Sequence, residues 1–253
     1  MGELFGHPRG KDARFRAQQL AYDAMEAGSP ERALKLANKA VETHNGCVDA
    51  LLIIAQASSQ DLDELIQHLH MVIEIGVRDL GEDFFEENTG HFWGLLETRP
   101  YMRARSTLAE VLLEAGRVDE AVELYEGSLR LNPNDNQGIR CPLLGCYLEA
   151  DDLDGARRLF DEYEDEGSAM FLWSRVLERV LSEDEGGARK ALADARKTNK
   201  HVEPYLTGAK QKPKRMPDYY GFGDENEAKV CAGAIGGAWK KHPKAVRWLK
   251  QAG

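Results

Sequence analysis

Apolar residues recur along most of this chain every third or fourth position, and the runs come in pairs separated by short polar breaks. The clearest pair lies between residues 102 and 135. Leu108, Ala109 and Leu112 form the inner stripe of a first helix, and Gly116 follows where that helix should stop. A turn there requires positive φ, which glycine adopts at little cost. Val118-Asp119-Glu120 then opens a second helix with acid near its positive end. Ala121 is small where the two helices should approach, Tyr125 and Leu129 fill the space towards a neighbour, and Leu131-Asn132-Pro133 closes the block, with Asp135 or Asn136 placed to cap the next helix.

The same template recurs. Leu20-Ala21, Gly28, Ala33, Ala37, Ala40 and Asn45 occupy the matching places of a unit over about 14–47. A unit over about 48–81 keeps Ile54-Ala55 but has Leu62 for the turn glycine and Gln67 for the small alanine. Leu144, Asp151, Ala156, Phe160 and Tyr163 repeat the template after the strongest unit, and Ala188, Leu192 and Ala195 mark one more over about 169–202. A helix pair of this kind cannot bury its apolar face alone, so several must stack. The residue types and spacings resemble the tetratricopeptide repeat. The expected fold is therefore all-α, a right-handed α–α superhelix of about five helix pairs with a C-terminal capping helical region.

Three phrases carry a narrower resemblance: Thr98-Arg99-Pro100-Tyr101-Met102-Arg103-Ala104-Arg105; Leu131 to Arg140; and Pro217-Asp218-Tyr219-Tyr220-Gly221 with Gly223-Asp224, Glu227-Ala228 and Trp239. Over about residues 84–249 the chain resembles prokaryotic tetratricopeptide proteins of the suppression-of-tumorigenicity-seven grouping. That resemblance implies a helical repeat protein and attaches no enzymatic activity. Tetratricopeptide proteins that clamp chaperone C-termini use Lys, Asn, Asn, Lys and Arg on first helices. The corresponding places here hold Gln18, Tyr22, Ile53, Arg103 and Thr107, so at most one is met and that mode is not expected.

The segmentation that follows is a flexible tail over 1–12, N-terminal repeats over 13–75, an insertion over 76–100, central repeats over 101–203, a basic proline-containing linker over 204–223 and capping helices over 224–253. The insertion mixes charge with large aromatics (Phe84, Phe85, Phe92, Trp93), as in short helices packed on the repeats or a loop reaching over their groove. Asp224 to Glu227 reads as a capping box. Gly233, Gly236 and Gly237 inside the following helix suggest that another helix packs very close there, with Trp239 and Trp248 sealing the end. No strand precedes these glycines, which disfavours a phosphate cradle. Pro142, inside a predicted first helix, is expected to bend it.

Charge divides the chain: up to Ala195 there are 20 basic and 38 acidic residues, a balance of −18, and from Arg196 onward 13 basic and 5 acidic, a balance of +8. The overall −10 argues against nucleic acid as the main partner, and the opposed ends suit self-association or docking of the basic end on acidic repeats. No apolar run is long enough to span a bilayer, Met1 to Arg9 lacks the apolar core of a secretory signal, and Gly6 stands where a myristoylation signal wants Ser or Thr, so a cytoplasmic protein is expected. Cys47, Cys141, Cys146 and Cys231 form no Cys-x-x-Cys pair and read as reduced, buried residues. His68 and His70 diverge on a helix, and Ala150 and Asp161 stand where a calcium loop needs its first ligand and its glutamate. No metal, cofactor or catalytic residue is assigned.

A non-enzymatic adaptor that holds a protein or peptide segment in a groove is the expected function. Inward-facing first-helix places of the template select Gln18, Tyr22, Leu52, Gln56, Arg103, Glu110 and Trp173, with Arg140 nearby. Tyr, Trp and Arg suit recognition because they bury large areas with few rotors and still donate hydrogen bonds.

Overall fold

The computed structural model describes residues 8–211 and 215–252, and among them the chain forms fourteen α-helices, two 3-10 turns and no strand. Of the tail expected over 1–12, residues 1–7 lie outside the described part; helix begins at Pro8. The chain falls into two compact units, Met1–Asn136 and Gln137–Gly253.

Unit 1 contains α1 (Pro8–Met25), α2 (Pro30–Thr43), α3 (Val48–Ser58), α4 (Leu62–Leu80), α5 (Glu82–Asn88), 3-10 turns at Phe92–Gly94 and Leu96–Thr98, α6 (Arg99–Glu114) and α7 (Val118–Leu131). The pairs α1/α2, α3/α4 and α6/α7 are the expected antiparallel units, and the first helices also touch one another, α1 against α3 and α3 against α6. Where α1, α2 and α3 meet, the buried residues are all small, Ala17, Ala21, Ala24, Ala37, Ala40, Cys47 and Ala50, with Leu20, Leu36, Val41, Ile53 and Ile54 packed around them. Small side chains let these helices lie close. The degenerate second turn works without glycine because Asp61 caps α4, accepting from the Glu64 N–H at 2.9 Å, while Glu64 accepts from the Gln60 N–H at 2.7 Å.

The insertion packs. Phe92 is fully buried, and Phe85 meets it with ring centroids 4.9 Å apart and Tyr101 at 5.2 Å. This aromatic cluster seals α4 and α6, and Thr98 ties the two 3-10 turns by donating its hydroxyl to the carbonyls of Phe92 and Leu95.

Unit 2 contains α8 (Arg140–Glu149), α9 (Leu153–Glu162), α10 (Ala169–Leu181), α11 (Glu185–Thr198), α12 (Glu203–Leu206), α13 (Glu225–Lys241) and α14 (Pro243–Gln251). The remaining repeat pairs are α8/α9 and α10/α11. Their turns share one device with Gly116, which has φ +76°. Asp151 and Glu183 take the same left-handed conformation at φ +63° and +58°. In all three turns the next residue's N–H reaches back: Arg117 to Leu112 at 2.8 Å, Asp152 to Tyr147 at 2.8 Å and Asp184 to Arg179 at 3.0 Å. Where a side chain replaces glycine, the following aspartate caps the second helix: Asp152 accepts from the Gly155 N–H at 2.8 Å and Asp184 from the Gly187 N–H at 2.9 Å.

Two sequence expectations change in unit 2. Pro142 does not bend α8: the helix starts at Arg140, so the missing N–H falls among the first-turn donors that have no helical acceptor anyway. α8 packs very close to α13 in the expected stretch, but the glycine that permits the approach is Gly145 of α8 and not those of α13. A Cβ at Gly145 of α8 would overlap the backbone carbonyl oxygen of Ala234 in α13, whereas Gly233 and Gly237 face side chains (Met216, Glu149) and Gly236 faces open space. The capping box at Asp224 is present, its carboxylate accepting from the Glu227 N–H at 2.7 Å. Glu227 itself is buried and accepts from the Asn199 amide at 2.8 Å and the Gly223 N–H at 2.7 Å.

Candidate functional site

Three first helices of unit 1 converge on one carboxylate. Asp49 on α3 is fully buried; Arg103 from α6 donates to it twice, Nε at 2.9 Å and an Nη at 2.5 Å, and Gln18 from α1 donates at 2.6 Å. Burial alone would lower the Arg103 pKa, but Asp49 and the neighbouring Tyr22 outweigh it and the pKa is raised. The network fixes the first-helix face and ties up most of the Arg103 hydrogen-bonding capacity; its side chain is 32% exposed. Along that face Tyr22, Gln56 and Glu110 are exposed. Glu110 is open to solvent yet walled by protein, and burial pushes its carboxyl above the ordinary value. Leu52 is buried beneath the face.

Next to this network lies a groove of about 450 Å³ lined by Phe15, Gln18 and Tyr22 of α1, by Asp79, and by Leu96 and Glu97 of the insertion. Phe15 and Leu96 are 64% and 68% exposed, large apolar side chains standing in water on its two sides. Its polar wall is fixed by Arg14, which pairs with Asp79 at 3.0 Å and also donates to the Asp79 carbonyl at 2.8 Å. The sequence template found Gln18 and Tyr22 here and missed Phe15 and Leu96. Phe15 holds in the first unit the inward place that Arg103 holds in the strongest one, so the spacing could have found it, whereas Leu96 belongs to an insertion that no repeat spacing describes.

In unit 2 the two remaining predicted residues are engaged internally. Trp173 is a correction: it is fully buried, and its indole N–H donates to the Asn199 carbonyl at 3.1 Å, so it is part of the core and not of a recognition surface. Arg140 pairs with Glu166, its Nε at 2.9 Å, and lies 5.3 Å from the centre of the Tyr163 ring. Burial by itself raises the Glu166 carboxyl, but Arg140 and the Ser168 N–H outweigh it and the pKa falls below the ordinary value. The first-helix faces of unit 2 are not open as those of unit 1 are, because α13 packs against both α8 and α10.

The phrase Thr98 to Arg105 is absorbed by architecture. Arg99 donates to the Trp93 carbonyl at 3.1 Å and stacks over its ring at 5.2 Å, Pro100 sits in the first turn of α6, Met102 is core, and Arg105 donates to the Ser128 hydroxyl at 2.9 Å and the Leu124 carbonyl at 2.8 Å. All four cysteines are free and buried. Burial pushes the Cys146 thiol up to about 12 and the Cys231 thiol well above its ordinary value, which removes thiolate character at neutral pH. Among the described residues no helix is long and apolar enough to cross a membrane, and no group of three or more His, Cys, Asp and Glu could hold a metal ion.

No curated protein matches the chain. A solved structure of PilF from Pseudomonas aeruginosa is similar at 19% identity, covering 74% of this chain and 92% of that one, with a TM-score of 0.36. The tetratricopeptide repeat family matches residues 112–168, the stretch from the end of α6 through α7, α8 and α9. The chain is an all-α helical-repeat protein whose segment 112–168 is similar to the tetratricopeptide repeat.

Proposed function

We propose that this protein is a non-enzymatic adaptor that holds a segment of another protein on the first-helix face of unit 1. The observation that carries the reading is a contrast between faces of the same kind. In unit 2 the first helices α8 and α10 already hold a helical segment, α13, whereas in unit 1 Tyr22, Gln56 and Glu110 are exposed along the first helices, and Tyr22 also lines a groove edged by Phe15 and Leu96. The Asp49 network preorganises that surface, so little ordering is required on binding. Gln18, Tyr22, Gln56, Glu110 and the exposed part of Arg103 form the polar contacts, and Phe15 and Leu96 the apolar ones. Arg140 is assigned a supporting role, since its charge is matched by Glu166. Kinship with the suppression-of-tumorigenicity-seven grouping and a cytoplasmic location are part of the same reading.

Selection of a displayed random-peptide library on wild-type protein, followed by affinity measurement on the variant Phe15→Glu/Leu96→Glu, tests it. Selected peptides should bind the variant at least about tenfold more weakly, the scale of losing one central apolar anchor. Peptides that bind both proteins equally would remove the groove from the reading. A second reading, self-association, is favoured by charge: unit 1 holds 13 basic and 24 acidic residues, a balance of −11, against a basic C-terminal end. Sedimentation velocity showing a salt-independent monomer would dismiss it.

A further inference from the structure

Unit 2 has a groove of its own, about 850 Å³, in the angle between α12 and the α13–α14 corner. Its floor includes Ala232, Gly236 and Gly237 of α13 together with Leu206 and Val246, and Lys240 and Arg247 stand on its rim. From the last turn of α13 through α14, Lys240, Lys244, Arg247 and Lys250 are all exposed, and no carboxylate is paired with any of them among the described residues. Neighbouring cations are tied down: Lys210 binds Glu225 at 2.8 Å and Lys241 binds Asp151 at 3.2 Å. Of the carboxylates around these helices, Glu225 is neutralised by Lys210, and Glu149 lies beside Gly237.

Gly236 is the second observation. Glycine weakens a helix interior relative to alanine, and a glycine kept there normally makes room for a neighbour. At Gly233 and Gly237 the neighbours are Met216 and Glu149; at Gly236 a Cβ would meet nothing within 4 Å. The space it leaves opens into the groove, next to cations that have no partner. We propose that this groove docks an acidic segment of a partner protein, an apolar side chain of that segment resting on the Ala232–Gly236 floor and its flanking carboxylates meeting Lys240 and Arg247. A short segment senses the local cations within about 8–10 Å, whereas an extended polyanion or an anionic membrane also meets the overall −10 of the chain. This site is separate from the unit 1 groove, and neither proposal depends on the other.

Fluorescence anisotropy on the full chain tests it with a fluorescein-labelled acidic octapeptide that has a central Leu-Phe pair. Two variants are compared with wild type: Lys240→Glu/Arg247→Glu reverses the rim, and Gly236→Leu fills the floor. Wild type should bind the peptide and release it as salt rises, and each variant should bind at least about tenfold more weakly. Gly236→Leu should melt no lower than wild type. Four results would overturn the proposal: equal peptide affinity in wild type and both variants; a lowered melting temperature of Gly236→Leu, which makes the glycine structural; tighter binding of phosphatidylglycerol vesicles or a single-stranded RNA oligonucleotide than of the peptide; or a concentration-dependent dimer abolished by the rim reversal, which puts a second copy in the groove.

Discussion

Gly145 lacks a side chain because the Ala234 carbonyl stands where its Cβ would be, and backbone yields less readily than the end of a flexible side chain. Gly145→Ala should therefore destabilise the protein by about 1–3 kcal/mol, the usual cost of overpacking, read as a lower urea midpoint. The effect should exceed that of Gly233→Ala, where only the terminal methyl of Met216 has to move. Glu110 makes a prediction of opposite sign. Burial holds its carboxyl above the ordinary value, so the folded state binds that proton more tightly than the unfolded chain. Stability then falls as pH rises from the ordinary carboxylate range through the raised value, and the penalty is fully present above that window. Glu110→Gln should raise the melting temperature near neutral pH and match wild type in acid; parity at neutral pH would refute the assignment. Gly145 does not stand out in the sequence, and although the repeat template marks Glu110 as inward-facing, neither a glycine nor a glutamate on a predicted helix announces what surrounds it.

At the scale of elements, repeat turns are set by a left-handed residue followed by a cap. Gly116 adopts positive φ freely, whereas Asp151 and Glu183 are held there by the reach-back hydrogen bonds and by the Asp152 and Asp184 caps. Asp184→Ala removes the acceptor for the Gly187 N–H and should cost about 0.5–2 kcal/mol in chemical denaturation, with Asp184→Asn recovering most of it. An alanine variant as stable as wild type would mean that the reach-back bond alone sets the turn. Spacing made these turns legible, and it located five helix pairs, because each pair carries its own start and stop signals. It could not anticipate that Pro142 falls in a first turn, since one residue of difference in where α8 begins separates a bend from a benign position.

For the whole molecule, the chain divides into two compact units, and unit 1 holds apolar clusters of its own around Ala21 and around Phe92. A protein consisting of residues 1–136 should fold by itself, with a helical circular dichroism spectrum and one cooperative thermal transition; a broad, non-cooperative melt would show that its repeats need the rest of the chain. By itself the sequence determined the helix pairs, their turns and the all-α class, because periodicity, caps and turn residues act within about thirty to forty residues of one another. Only the tertiary structure decided which surfaces are open. Trp173 and Tyr22 occupy comparable template places, yet one is enclosed in the core of unit 2 and the other is exposed in unit 1. Phe15 and Leu96 share a groove across some eighty residues of chain. Exposure depends on what distant segments cover, and α13 covers α8 and α10 through contacts about sixty to ninety residues apart, which no local pattern encodes.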